Sequence, residues 1–249
     1  SKSKTNILEK GMSTNVVKRN GSVESLNLEK IHKMVEMACE GIGGVSESAI
    51  EMNANIQFFD GIKTNDIQEI LIKSANDLIS LDAPNYQFVA ARLLLFSLRK
   101  AVYDNHPDSH PHLYQHIKDC IDHGLYDPAL LDAYSEEEWS EINNMVDYDR
   151  DYLFTYAGIR QVVDKYLVQD RSSGEVYETP QQMYIMIAAT LFQRYPLDSR
   201  LTYVKKYYDA ISRHKINIPT PIMGGVRTPL RQFASCVLVD IDDTLDSIF

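Results

Sequence analysis

The chain has 249 residues and is acidic, with Lys+Arg 25 against Asp+Glu 35 and a formal net charge of −10. Hydrophobic residues at 44% and charged residues at 24% match an ordinary globular protein with chain enough for one or two domains. The acidity argues against a nucleic-acid or membrane-surface binder, because phosphate surfaces demand clustered Lys and Arg, although a local patch can still hold a small anion.

Cys39, Cys120 and Cys236 lie far apart and form no CxxC pair, which excludes a disulfide scaffold or zinc ribbon and favours a reducing compartment. No apolar run approaches the ~20 residues of a membrane span. The opening SKSKTNILEKGMS is charged and lacks an apolar signal core, so residues 1–13 read as a flexible tail on a cytoplasmic protein.

Ordered signals begin at TNVVKRNGSVESL, where two short β-prone runs flank Asn20-Gly21. That dipeptide is the mark of a type I′ hairpin turn, with positive φ at both positions. Leu28, Ile31, Met34, Val35, Ala38 and Cys39 then recur at helical spacing, and Gly41 closes the helix. Ser46 is placed to cap a second helix carrying Ile50, Ala54 and Phe58. Thr64 is expected to cap a third, with Ile67, Ile70, Leu71, Ser74, Ala75, Leu78 and Ile79 as its buried face. Pro84 precedes a fourth over Tyr86 to Tyr103.

The stretch DNHPDSHPH (104–112) breaks all periodicity and reads as a linker. Helical patterns resume at 113–123, 135–147 and 151–167, and Gly174 marks a turn between short extended arms. Pro180 opens a helix through Leu191, and Arg200 to Ser212 forms the next. The paired prolines and glycines of INIPTPIMGG then read as loop, followed by a buried strand around Cys236.

Few residues declare chemistry on their own. Five of the seven histidines, His106, His110, His112, His116 and His123, cluster around the linker, but they straddle two prolines and read as a solvated helix start rather than a metal site. GIGG at 41–44 follows a helix and lacks a GKS/GKT ending, so it terminates that helix rather than forming a P-loop. Cys236, alone in an apolar run, reads as a small hydrophobe. Lys18, Arg19, Lys30 and Lys33 surround the hairpin and the first helix start, where cations and backbone N–H groups can hold a polyphosphate. From the residues alone the chain is a mostly helical protein with a candidate anion site.

The segments VKRNGSVESLNLEKIHK, FFDGIKTNDIQEILIKSANDLI, APNYQFVAARLLLFSLRK, KYLVQDRSSGEVYETPQ and PTPIMGGVRTPLRQFASCVLVDIDDTLDSI add a further reading. In these, from Val16 to Ile248, the sequence resembles the N-terminal part of class Ia ribonucleotide reductase large (alpha) subunits. The resemblance implies a mainly α fold: a β-hairpin-capped four-helix ATP-cone at 14–103, a helical domain at 104–218, and the start of a ten-stranded α/β barrel at 219–249. It assigns Lys18, Glu24, Ser25, Leu26, Asn27, Leu28, Glu29, Lys30, Thr64 and Lys100 to an allosteric ATP/dATP site. Thr220 would contact substrate, Cys236 would be one of two redox-active thiols, and Asp243, Thr244 and Leu245 would begin a specificity-effector site.

The implied activity is reduction of ribonucleoside diphosphates to deoxyribonucleoside diphosphates by radical and dithiol chemistry. Its implied partners are the remainder of the alpha subunit, a small (beta) subunit with a diiron-tyrosyl centre, and thioredoxin or glutaredoxin; the full enzyme would be a homo-oligomer. No metal, nucleic acid or membrane is expected for this chain. The family's radical cysteine would lie beyond Phe249, so the chain alone is expected to be catalytically silent: a fragment, a split-gene product or a truncation. Gln68 and Ser97 stand where familiar bacterial members carry histidine, which points to weak discrimination of dATP and to a phage-type member. Two other readings stay open: a stand-alone ATP-cone regulatory module, and a helical interaction protein that binds no nucleotide.

Overall fold

The computed structural model describes residues 14–104 and 109–229, which fall into two compact units. The first unit comprises the described residues up to Ser97 together with Phe154–Arg160; the second comprises Leu98–Leu153 and the residues from Gln161 onward.

The first unit is built on a three-stranded sheet of order β2-β1-β3: β1 (Asn15–Val17), β2 (Val23–Ser25) and β3 (Ile62–Lys63). β1 pairs antiparallel with β2 in the register Asn15↔Ser25, Val16↔Glu24 and Val17↔Val23. Only Gly21 in the connecting turn has positive φ, at 82°. Lys18 donates its N–H to Ser22 O at 2.8 Å and Gly21 donates to Lys18 O at 2.9 Å. The turn is therefore a three-residue loop with glycine in the left-handed position rather than the expected type I′ turn, because Asn20 stays at negative φ and the glycine alone absorbs the reversal.

Four helices follow: α1 (Leu28–Cys39), α2 (Glu47–Gln57), α3 (Thr64–Asp77) and α4 (Tyr86–Val102). Asn27 caps α1 by accepting Lys30 N–H, and Ser46 caps α2 by accepting Ala49 N–H, as a short polar side chain at that position should. Gly41 and Gly44 take positive φ just past α1, which accounts for GIGG as a helix stop. The loop is then tied down: Arg92 Nη1 donates to Glu40 O at 2.7 Å, Asn85 Nδ2 to Gly43 O at 3.0 Å, and Ser46 N to the Tyr86 hydroxyl at 2.9 Å. Val16, Val35, Ala38, Ile50, Ala54, Ile62, Leu71, Ala75, Val89 and Ala90 form the buried interior.

Two expectations in this unit need correction. Thr64 does not cap α3: the cap position is Lys63, because β3 runs straight into the helix and keeps that residue extended. Ile79 lies past the end of the helix and is exposed, so the buried face stops at Ala75.

The second unit is helical, beginning with α5 (Leu113–Asp122), α6 (Leu130–Ala133) and α7 (Glu136–Met145). The expected helix at 151–167 is instead a 3₁₀ turn (Tyr148–Leu153), the short α8 (Tyr156–Gln161), most of which belongs to the first unit, and a π turn (Val162–Tyr166). Gln169 and Val176 bridge across the turn at Gly174, whose φ is 76°. Three helices follow: α9 (Pro180–Phe192), α10 (Arg200–Ser212) and α11 (Thr220–Gly225).

α9 is apolar on nearly every side and buried, the pattern of a central helix. Gln181 on this helix is bonded through both ends of its buried amide. Gln181 Nε2 donates to Asp151 Oδ1 at 2.8 Å while Gln181 Oε1 accepts the Tyr208 hydroxyl at 2.6 Å. Thr179 and Gln182 form a reciprocal capping box. Asp151 is also paired with Arg99 at 3.1 Å.

A second buried polar network joins distant stretches of the chain. The fully buried carboxylate of Glu178 takes the Arg227 guanidinium, the Tyr126 hydroxyl at 2.5 Å and Val168 N–H at 2.9 Å. His116 Nε2 meets the Tyr126 oxygen at 2.8 Å. Since that hydroxyl gives its proton to Glu178, His116 must carry hydrogen on Nε2. Burial pushes the imidazole down to about 4, so it is neutral.

Thr220–Gly225 is helical where a loop was expected, because proline is tolerated in a first turn where its missing N–H has no partner to lose. The expected strand at Cys236 lies outside the described residues, as do His106 and Asp243, Thr244 and Leu245.

Candidate nucleotide site

The parallel pairing of β3 with β1 organises the site. Its register, Val16↔Ile62 and Val17↔Lys63, leaves the next pair of residues, Lys18 and Thr64, side by side at the end of the sheet. Lys18 leads into the turn and Thr64 is the first residue of α3, so a cation stands next to a helix N-terminus. Of the three helices α1, α2 and α3, α3 alone has no side-chain cap hydrogen bond among the described residues. Its first turn therefore receives no acceptor from a capping side chain, unlike those of α1 and α2. The Thr64 Oγ1 is buried and finds no hydrogen-bond partner among the described residues. An orphan hydroxyl costs free energy unless a ligand or water satisfies it.

Glu24 reaches across the hairpin to Lys18, with Oε2 at 3.6 Å from Nζ. Both side chains are partly exposed, so this ion pair is weak and an anion can take its place. Glu24, Ser25, Leu26, Asn27, Leu28, Glu29 and Lys30 follow the antiparallel strand to the other end of β1, where Leu26 N–H bonds Thr14 O at 2.8 Å and Asn27 starts α1. Strand rise places these two ends roughly 10 Å apart. Apart from Lys100, the residues assigned by resemblance therefore gather around both ends of one three-residue strand rather than at a point.

One turn beyond Thr64 along α3 stands Gln68, buried, whose Oε1 accepts the Ser97 hydroxyl of α4 at 2.9 Å. Lys100 lies three residues beyond Ser97 on α4, in the part of the helix that belongs to the second unit. Neither β3 nor the Gln68–Ser97 bond is visible in the sequence. Two residues are too few to show periodicity, although the β-branched Ile62 just before a helix start is a faint signal.

The remaining candidates lie apart from this site. Thr220 is the exposed first residue of α11, with its Oγ1 3.3 Å from the Tyr166 hydroxyl. The histidines are bonded locally: His112 caps α5, His123 Nδ1 lies 2.7 Å from Asp119 O, and His110 stacks on Tyr148. His116 departs from the expected solvated helix start, because it lies on the inner face of α5 and is buried against Tyr126. Among the described residues no group of His, Cys, Asp and Glu is arranged to hold a metal. Cys39 and Cys120 are buried free thiols, and burial raises both, Cys39 to about 11. They are unreactive as thiolates. No helix among the described residues is long and apolar enough to cross a membrane.

The architecture is thus a helical unit carrying a three-stranded sheet, followed by a second helical unit. Comparison with known families matches each part. Residues 14–101 match the ATP cone domain, and residues 152–231 match the all-alpha domain of ribonucleotide reductase. The chain is 53% identical over 233 residues to ribonucleoside-diphosphate reductase 1 subunit alpha of Escherichia coli strain K12, covering 94% of this chain and 30% of that protein. It is 52% identical over 233 residues to the alpha subunit of Haemophilus influenzae, with 94% and 31% covered. Against the alpha subunit of Enterobacteria phage T4 the identity is 44% over 237 residues, with 94% and 30% covered. The chain thus carries the ATP cone domain and the all-alpha domain of ribonucleotide reductase, and spans about 30% of the length of the curated relatives it matches.

Proposed function

We propose that this chain is the nucleotide-sensing portion of the large subunit of a ribonucleoside-diphosphate reductase, in which ATP or dATP on the cone regulates reduction of ribonucleoside diphosphates. The observation that carries the reading is the β1–β3 register, which sets Lys18 beside the uncapped start of α3 and the unpartnered Thr64 hydroxyl. These groups fit a polyphosphate: one cation, several backbone N–H donors and one hydroxyl donor, with Glu24 free to release Lys18 when the anion arrives. At the far end of β1, Ser25 to Lys30 and the Asn27-capped helix start are the side on which the base and ribose would rest. Lys100 is carried as a further phosphate contact by family resemblance.

The domain division follows the same resemblance, with a cone at 14–103, a helical domain at 104–218 and the barrel entry from 219. In the complete enzyme Thr220 would touch the substrate. Cys236 with a second thiol would deliver two electrons and two protons to the ribose and be restored by thioredoxin or glutaredoxin. Asp243, Thr244 and Leu245 would bind the specificity effector, and the radical would come from a small subunit with a diiron-tyrosyl centre.

Calorimetric titration of the chain with ATP and with dATP tests the cone. Both nucleotides are expected to bind, and Lys18→Ala is expected to weaken each by about tenfold or more, the worth of a charge-assisted contact. Thr64→Val should weaken both by a smaller factor. A folded chain that binds neither nucleotide overturns the proposal.

A further inference from the structure

The proposed substrate contact, Thr220, begins a segment whose far end is anchored by one buried ion pair. Arg227, two residues past α11, is fully buried and sits at φ 78°, a left-handed conformation that a non-glycine side chain adopts only when its surroundings compel it. What compels it is visible. Its guanidinium is bound to the buried Glu178 carboxylate, and its Nη1 donates to Met223 O at 2.7 Å and Val226 O at 2.9 Å, carbonyls at the close of α11. Its Nη2 donates to Tyr166 O at 2.9 Å, and Asp127 N–H fixes its own carbonyl at 2.9 Å. The end of α11 is thereby locked to the π turn that ends at Tyr166. The Tyr166 ring then lies along the same segment, 3.9 Å from where a Cβ on Gly224 would stand, and its hydroxyl reaches Thr220 Oγ1 at 3.3 Å.

We propose that Tyr166 is a positioning residue for substrate: its hydroxyl orients that of Thr220, and the Arg227–Glu178 pair holds Tyr166 and α11 in the register that makes this contact. The inference rests on the substrate role proposed above for Thr220. The surroundings of the pair favour this role over a purely structural contact. The Tyr126–Glu178 bond of the same network is buried and short, whereas the Tyr166–Thr220 pair is open to solvent and long for two hydroxyls. Contacts that serve a ligand are commonly long before it binds and tighten when it does.

The test uses the complete alpha subunit that carries these residues, assayed with its radical-supplying partner subunit on a ribonucleoside diphosphate. Tyr166→Phe removes one hydroxyl at a partly exposed site and should leave thermal stability and cone nucleotide affinity unchanged. KM is expected to rise about three- to tenfold with kcat little altered, the loss of one binding hydrogen bond. Thr220→Val should raise KM at least as much, Thr220→Ser should restore it, and adding Tyr166→Phe to Thr220→Val should have no further effect. If Thr220→Val raises KM but Tyr166→Phe does not, or if the two effects multiply, the positioning role is overturned while the substrate role stands. If Thr220→Val leaves KM unchanged, the substrate role fails and the positioning role fails with it.

Discussion

The Ser97 hydroxyl donates to the Gln68 amide oxygen at 2.9 Å, joining α4 to α3 one turn below the unpartnered Thr64 hydroxyl. Both partners are uncharged, and they satisfy each other. Two histidines at these positions would instead offer ring donors to a nucleotide on the cone. Effector discrimination is a coupling free energy of only about 1–3 kcal/mol, so one lost hydrogen bond is enough to erase most of it. ATP and dATP are therefore expected to bind with affinities within about fivefold of each other. Gln68→His with Ser97→His should widen that ratio, as read by calorimetry. A wild-type chain that already prefers one nucleotide strongly would contradict this.

The hairpin turn should be sensitive at a single position. Gly21 holds φ 82°, and a Cβ placed on it would meet nothing within 4 Å, so the obstacle to Gly21→Ala is backbone conformation alone. The left-handed penalty is about 1–2 kcal/mol. Thermal unfolding should register a loss of that size, and because the turn places Lys18, ATP affinity should fall with it. Asn20→Ala, at negative φ, should have a smaller effect on both.

Removing one partner of the Arg227–Glu178 pair should be far more damaging than removing one partner of the exposed Lys18–Glu24 pair. Glu178→Gln or Arg227→Met strands a buried charge, at a cost of about 3–5 kcal/mol. Glu24→Gln should change stability by less than about 1 kcal/mol. Urea unfolding of the three variants decides it.

Acid stability carries a signature of His116. Its buried imidazole titrates at about 4, below its ordinary 6.5. The unfolded chain therefore binds more protons between those values, and stability rises with pH across that window. The contribution is complete above about 6.5 and is lost as pH falls towards 4, amounting to about 3 kcal/mol. Asp151 acts in the opposite sense, since burial raises its carboxyl to about 6 and favours the protonated native state as pH falls. The stability difference between the wild type and His116→Gln cancels Asp151 and isolates the imidazole. That difference should shrink between pH 6.5 and 4; a flat difference would show that His116 is solvated.

Periodic features are legible in the sequence. The apolar spacing of α1, the bounds of α10 at Arg200 and Ser212, the cap at Ser46 and the stop at Gly41 each depend on residues within a turn or two of one another. Local steric and hydrogen-bonding rules suffice there. Lys18 beside a hairpin is likewise readable as a candidate anion contact, though spacing alone does not separate it from a solvated lysine.

Long-range pairing is beyond that reach. β3 is two residues long, and its parallel register with β1 joins positions more than forty residues apart. That register, not any property of Thr64 itself, turns an expected helix cap into an unpartnered hydroxyl next to Lys18. Arg227 carries no mark of burial in its sequence neighbourhood, and the carboxylate that balances its buried charge, that of Glu178, lies 49 residues away. The amino-acid sequence alone set most of the helices, many of their ends and the charge around the hairpin, because these follow from neighbours along the chain. Which polar groups meet was settled by packing, because a buried charge or hydroxyl takes its meaning from whatever the fold brings against it.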